Sequence, residues 1–402
     1  MTSKAYRRGT HRVCAPEQTL AQVRPFLAQM GITRIADITG LDRVGIPTVL
    51  ACRPNSRSVA VSLGKGLEQA VARASAVMEA AETFHAETIE LPLRHGCRAD
   101  LATRWRLADV DRLPLIEPGG LAEDLPILWI EGVDAADGGG RWLPLEAVST
   151  DYTLPQPPGA GIFQATTNGL ASGNTLDEAR LHAVCELIER DATALWRLGV
   201  AAARQRSRLD LDSIGNAEAR VLLERFARAE VEVGVWETTS DIGVACFIAL
   251  AAGRMDGADP ELGAGCHPSR DVALCRALAE AAQARVGFIS GARDDLLPSL
   301  YAPAARQRRA EKARIWLDAD RPTRRFDQSP DFAGDDSAED LALVLERLRG
   351  VGLTEIVTVD LTKADFGIPV VRVAIPGLEG PVADGVGCQP GRRARAILEG
   401  RP

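Results

Sequence analysis

Two stretches of this 402-residue chain repeat carboxylates at helical intervals. In the segment 176–198, Glu178, His182, Glu186 and Glu189 fall within an arc of about 80° when each residue turns a helix by about 100°. Arg190 lies immediately beside that arc. In the segment 67–87, Ser75, Glu79 and Glu82 lie within about 60° of one another. A solvated helix face carries acidic residues at little cost, but segment 176–198 is otherwise rich in Ala, Leu, Val and Ile, which argues against mere decoration. Two partly buried carboxylates about 4 Å apart repel by roughly 4 kcal/mol at an effective dielectric of about 20, so a cation has to offset them. Hard oxygen ligands select magnesium or calcium, and magnesium commonly bridges a few carboxylates to phosphate oxygens. Whether the two faces converge on one metal cluster stays open from spacing alone, because glutamate on helices is common.

A third feature is Gly64-Lys65-Gly66, which reads as a turn between a strand and the 67–87 helix. Free backbone N–H groups and a lysine at a helix start can meet an anion there. The pattern is not the G-x-x-x-x-G-K-[ST] of a Walker loop, and a lysine at a helix start is also an ordinary solvated residue.

The elements that must position these groups are legible from periodicity. Residues 17–30 have helical spacing and stop at Gly31, and a short strand is expected near 32–38. Strands are expected at 48–52 and 58–63, the second feeding the alanine-rich helix 67–87. Turn-rich stretches at 117–120, 137–140 and 154–161 divide the middle of the chain into short strands and loops within one domain. The helix 176–198 starts at Asn174 or Thr175, with Asp177 and Glu178 where the helix dipole favours negative charge. A strand pair at 231–238 and 244–251, a helix at 271–287, a helix at 338–349 and strands at 354–360 and 369–375 complete the pattern. Residues 319–338 combine proline and charge with little apolar content, the composition of a mobile loop.

Hydrophobic residues make up 46% of the chain and aromatics 4%, which suits a helix-rich α/β enzyme. The length allows two or three units or one interwoven domain. With 55 acidic and 47 basic residues the net charge is −8, and nothing global favours nucleic acid. The basic run Lys4, Arg7, Arg8, His11, Arg12 reads as a solvated tail. No stretch reaches the roughly 18 apolar residues of a membrane span, and no signal-peptide core is present, so a cytoplasmic protein without a membrane partner is expected. The eight cysteines contain no C-x-x-C pair, the pattern of reduced, packed thiols.

The segments SLGKGLEQAVARASAVMEAAE (62–82), TTNGLASGNTLDEARLHAVCELIERDA (166–192) and HPSRDVALCRALAEAAQAR (267–285) together resemble YcaO proteins in order and spacing. GITRIADITGLDRVGIP (31–47) and QPGRRARA (389–396) look like the subgroup that works beside a TfuA partner. The resemblance covers nearly the whole chain. It implies an α/β fold of the α+β kind, with mixed β-sheets flanked by long helices and an ATP site between helices, unlike a P-loop. It also implies an N-terminal segment 1–55 packed on a catalytic domain 56–396, whose ATP-binding core is about 58–290, and a short tail 397–402. Carried over by motif position, Glu79 and Glu82 match the family's first glutamate pair. Asn174, Glu178, Glu186, Glu189 and Arg190 match its second cluster. Magnesium would be held by Glu79, Glu82, Glu178, Glu186 and Glu189, and Glu186, Glu189 and Arg190 would serve catalysis. Lys65 and Ser75 match residues that contact or support the nucleotide. Gln283 and Arg285 match the end of the third motif, although on an ideal helix Arg285 points away from the face of Arg276, Glu280 and Gln283. His182 has no family counterpart and reads as a packed or supporting residue.

The activity implied is phosphorylation of a peptide backbone amide oxygen by ATP with Mg2+, after a nucleophile has added. A substrate Cys, Ser or Thr gives an azoline, and an external sulfur donor gives a thioamide. Azoline-forming members characteristically end in a PxPxP tail, whereas this sequence reads LEGRP at its end, so a thioamide is the expected product, within the biosynthesis of a ribosomally made peptide or protein. A TfuA-like partner, a peptide or protein substrate and a homodimer are expected. Three other readings compete: an azoline-forming cyclodehydratase, a non-catalytic peptide-binding scaffold, and a carboxylate-bridged metalloprotein. The last lacks the Glu-x-x-His spacing, since Glu178 and His182 are four apart.

Overall fold

The computed structural model describes residues 3–116, 119–254, 259–318, 322–380 and 388–400. A short helix α1 (Pro16–Val23) precedes strands β1 (Arg34–Asp37), β2 (Thr48–Cys52) and β3 (Val61–Lys65), and the long helix α2 (Gln69–Glu87) follows. Strand β4 (Leu93–Gly96), a single-turn α3 (Arg98–Ala102) and strands β5 (Ile127–Asp134), β6 (Gly140–Pro144) and β7 (Leu170–Ser172) lead into α4 (Leu176–Leu198). The chain continues through α5 (Ala201–Arg206), α6 (Ala217–Arg228), β8 (Val231–Glu237), β9 (Ala245–Gly253), β10 (Glu261–His267) and α7 (Arg270–Ser290). It closes with α8 (Pro303–Asp318), α9 (Ser337–Gly350), β11 (Val357–Asp360), β12 (Val370–Ala374) and α10 (Arg392–Leu398).

These elements sort into two compact units, one of Ser3–Ala80 with Val200–Asp336 and one of Ala81–Gly199 with Ser337–Pro402. In the first unit two antiparallel sheets form, ordered β1-β2-β3 and β10-β9-β8. Strand β9 is buried at every position, and α7 packs over β9 and β10. Helix α7 is buried over most of its surface, Gln283 and Arg285 included. The segment containing β10 was not expected as a strand, because Gly263 and Gly265 read as breakers. They are there because α7 lies so close that a Cβ on either glycine would strike its backbone, at Ala277 and Ala281 or at Ala273 and Ala277.

The second unit is built on a six-stranded antiparallel sheet, β4-β5-β11-β12-β7, with β6 paired to β5. Helix α4 packs on β7 and β12. Thr175 caps α4, its side chain accepting the Glu178 amide, which resolves the choice between Asn174 and Thr175. Antiparallel pairing throughout puts the fold in the α+β class.

Three expectations are corrected. Gly64 and Lys65 belong to β3, opposite Val49 and Thr48, and not to a turn. Gly64 is required because a Cβ there would strike the backbone of Ala72 and Ala76, and the Gly66 amide donates to the Pro47 carbonyl at 3.3 Å instead of facing an anion. The N-terminal run is not a solvated tail: Lys4 is 4% exposed and its Nζ donates to the Gly334 carbonyl at 3.0 Å. Of the loop expected to be mobile, 319–321 lie outside the described residues, but Phe326 is buried in the core of the first unit and Arg324 donates to Glu237 at 2.6 Å. All eight cysteines are free thiols, with Cys185, Cys246, Cys266 and Cys275 buried. Among the described residues no helix is long and apolar enough to cross a membrane.

Candidate functional site

Most of the acidic groups picked from spacing lie in the second unit. Along α4, Glu178 is 4% and Glu189 2% exposed, with Glu186 half-buried one turn before Glu189. Arg190 holds its Nη2 at 3.7 Å from Glu186 and 3.5 Å from Glu189, an ion pair longer than a hydrogen bond. Asn174 donates through Nδ2 to Glu178 at 3.0 Å, which fixes the first carboxylate at the helix start. Glu186 accepts the Gly169 amide at 3.2 Å.

Glu82, on the last turns of α2, accepts from both the amide and the hydroxyl of Ser172, at 2.8 and 2.6 Å. Ser172 was not singled out from sequence; its signal is its place at the end of a strand that leads directly into the carboxylate helix. His182 is half-buried, in keeping with a packed residue.

In the first unit the chosen residues are tied to the protein at short range. Lys65 Nζ meets Glu280 at 2.6 Å, and Glu280 also accepts the Ala264 amide at 3.4 Å. Gln283 donates to the Leu63 carbonyl. Arg285, 4% exposed, pairs with Asp42 at 3.0 Å and donates to the Asp259 carbonyl at 2.7 Å. We therefore assign Arg285 to holding α7 against the N-terminal segment, rather than to a nucleotide, in line with its direction on the helix. Ser75 and Glu79 are half-buried on α2, where Arg293 is a charged neighbour of Glu79.

Among the described residues no three His, Cys, Asp or Glu side chains are drawn into metal-ligating geometry. The donors offered by α2 and α4 are carboxylate and amide oxygens, the set that suits a hard divalent ion, and magnesium typically keeps only one or two protein carboxylates and completes its shell with phosphate oxygens and water. The donor chemistry fits magnesium. On the other side of α4, Asp191 is fully buried, and burial pushes its carboxyl up to about 6 against the opposing pull of Arg393 at 3.0 Å.

A family profile described as YcaO cyclodehydratase, ATP- and Mg2+-binding, matches residues 63–379. A Rhizobium leguminosarum bv. trifolii protein described as an uncharacterized protein in the tfuA 3′ region is 35% identical, over 97% of this chain and 93% of that one. Among solved structures, YcaO from Methanopyrus kandleri bound with AMPPCP and Mg2+ is similar with a TM-score of 0.76 at 23% identity, over 96% of this chain and 100% of that one. A heterocyclase in complex with substrate and cofactor is similar with a TM-score of 0.81 at 22% identity; it covers 100% of this chain, which spans only 57% of that heterocyclase's length. At these identities the two structures attest the fold.

Proposed function

The chain belongs to the YcaO family, and on that premise we propose that it uses ATP and Mg2+ to phosphorylate a peptide backbone amide oxygen, with a thioamide as product. The observation that carries the reading is the α4 face, where Glu186 and Glu189 stand on either side of the Arg190 guanidinium and the buried Glu178 lies on the same side of the helix, nearer its start. Even with Arg372 as a second charged neighbour of Glu186, the three carboxylates outnumber the cations named beside them, and Mg2+ arriving with a triphosphate would offset the excess. Glu178, Glu186 and Glu189 would hold magnesium ions between them, and those ions would neutralise charge on the transferring phosphoryl group. Arg190 would clamp a phosphate oxygen in this reading, and Glu82 is held by Ser172. Ser75, Glu79, Lys65 and Gln283 support the nucleotide in this reading.

An amide carbonyl is a poor electrophile and its oxygen a poor leaving group. Once hydrosulfide has added to the carbon, the resulting oxyanion attacks the terminal phosphorus and the bond to ADP breaks. Collapse of the adduct then expels phosphate, which takes up the sulfhydryl proton as the C=S bond forms.

The thioamide product is favoured by the tfuA-region relative, and with it a TfuA-like protein as partner in delivering sulfur. Azoline formation is the second reading, supported by the family's description as cyclodehydratases and by the heterocyclase with the same fold. Mass spectrometry separates them. With enzyme, ATP, Mg2+, sulfide and a precursor peptide, thioamidation raises the peptide mass by about 16 Da and azoline formation lowers it by about 18 Da, a difference made by the site's chemistry and not by the fold. Loss of water without a need for sulfide rules out the thioamide and leaves amide activation standing.

A further inference from the structure

Strand β12 reads Val370, Val371, Arg372, Val373, Ala374, so one arginine interrupts an otherwise apolar, fully buried run. Arg372 is 3% exposed. Register sets it opposite Leu170 on β7 and Val359 on β11, and therefore on the same face of the sheet as Val370 and its partner Ser172, the residue that holds Glu82.

Its guanidinium is buried, and burial lowers its pKa to about 10, while Tyr152 and Glu186 pull in the opposite direction. Its Nη1 is closed off from solvent and donates to nothing among the described residues. Buried arginine nitrogens are ordinarily saturated with acceptors, because a desolvated donor without one is costly. Valine or leucine here would complete the apolar strand. Among the described residues this spare donor meets no acceptor, and the arginine's charged neighbour Glu186 is a member of the proposed magnesium-binding face.

We propose that Arg372 is a phosphoryl-binding residue, its guanidinium taking an oxygen of the phosphoryl group that passes from ATP to the amide oxygen. The proposal rests on the function argued above. A guanidinium presents planar donors that suit phosphoryl oxygens and stays charged even when desolvated. During transfer the phosphorus loses its bond to the ADP oxygen, which keeps the electron pair, and gains one to the amide oxygen; breakage of the C–O bond then releases phosphate. One donor can follow the same phosphoryl oxygen through both events.

The test uses calorimetry on the full chain with Mg-ADP, with Mg-AMPPCP, and with inorganic phosphate added to the Mg-ADP complex. Arg372→Met should leave the affinity for Mg-ADP within about twofold while weakening AMPPCP, phosphate or both by about tenfold or more, the size expected for a lost hydrogen bond to a charged group. Loss confined to AMPPCP places the contact on the terminal phosphoryl of ATP, and loss confined to phosphate places it on the group after transfer; either supports the proposal. Arg372→Lys, which keeps charge and bulk, should recover part of the loss and serves alone if the Met variant does not fold. Unchanged affinities for all three probes in a folded variant overturn the role of Arg372 while leaving the ATP reading intact. Failure of the unaltered protein to bind either nucleotide sinks that reading and this inference with it.

Discussion

Helices α4 and α7 both carry the polar residues of a family motif, yet they use them in opposite ways. On α7, Arg285 is committed to Asp42 and to the Asp259 carbonyl, and Glu280 meets Lys65 at 2.6 Å. On α4, Arg190 stands 3.5 and 3.7 Å from two carboxylates of a face on which three glutamates gather, beyond hydrogen-bond length from either. Polar residues with short, reciprocal partners hold a fold together. A face with excess like charge is a demand for a ligand, and it is the α4 face that should govern chemistry.

The largest expected effect breaks that face. Glu189→Gln keeps the shape and removes one charge, and turnover should fall by at least about 100-fold, since even the outer partners of metal sites matter by 10–100-fold. Its melting temperature should stay level or rise slightly as repulsion is relieved. A fully active variant returns Glu189 to the class of structural residues. On the α7 side, Asp42→Ala strands the buried Arg285 guanidinium and should destabilise the protein by about 3–5 kcal/mol in denaturant titration. Nucleotide affinity of the fraction that stays folded should not change; if it does, Arg285 belongs with the site.

Lys65→Met sharpens the comparison, because its ion pair is partly exposed, with side chains 19% and 23% accessible. A cost of about 1 kcal/mol in stability is expected. A rise in the Kd for Mg-ATP as well puts Lys65 with α4, and a change in stability alone puts it with α7.

The smallest effect concerns His11 in the first unit. Burial, then Lys4 and Arg7, lower its pKa from 6.5 to about 4, so the folded form keeps it neutral. The unfolded chain takes up its proton first as pH falls. The contribution of His11 to stability is therefore complete above about 6.5 and lost on acidification towards about 4. Melting curves should show His11→Gln losing less stability between these limits than the unaltered protein, and an equal loss contradicts the shift.

Legibility in the sequence followed the same division. Helices α2, α4 and α7 and strand β2 announce themselves by period and by cap, and the carboxylate face of α4 follows from counting residues around one helix. What stayed hidden depends on neighbours far along the chain. Gly263 and Gly265 look like breakers until α7 is known to lie against them, and Gly64 looks like an anion turn until α2 does. Helix α8 is polar nearly all round, with only Ala313 and Leu317 buried, and so has no apolar stripe to read. Arg372 was visible as the one charge in VVRVA, but its burial and spare donor are properties of the assembled sheet.

The central claim is that the acidic face of α4 is a magnesium-dependent ATP site. Titration of the full chain with ATP by calorimetry, once with Mg2+ and once with EDTA, tests it most directly. Binding should appear only with Mg2+, because the carboxylates repel a bare triphosphate, and Glu186→Gln should weaken it. Equal affinity in the two conditions would contradict the account by removing the metal from the site.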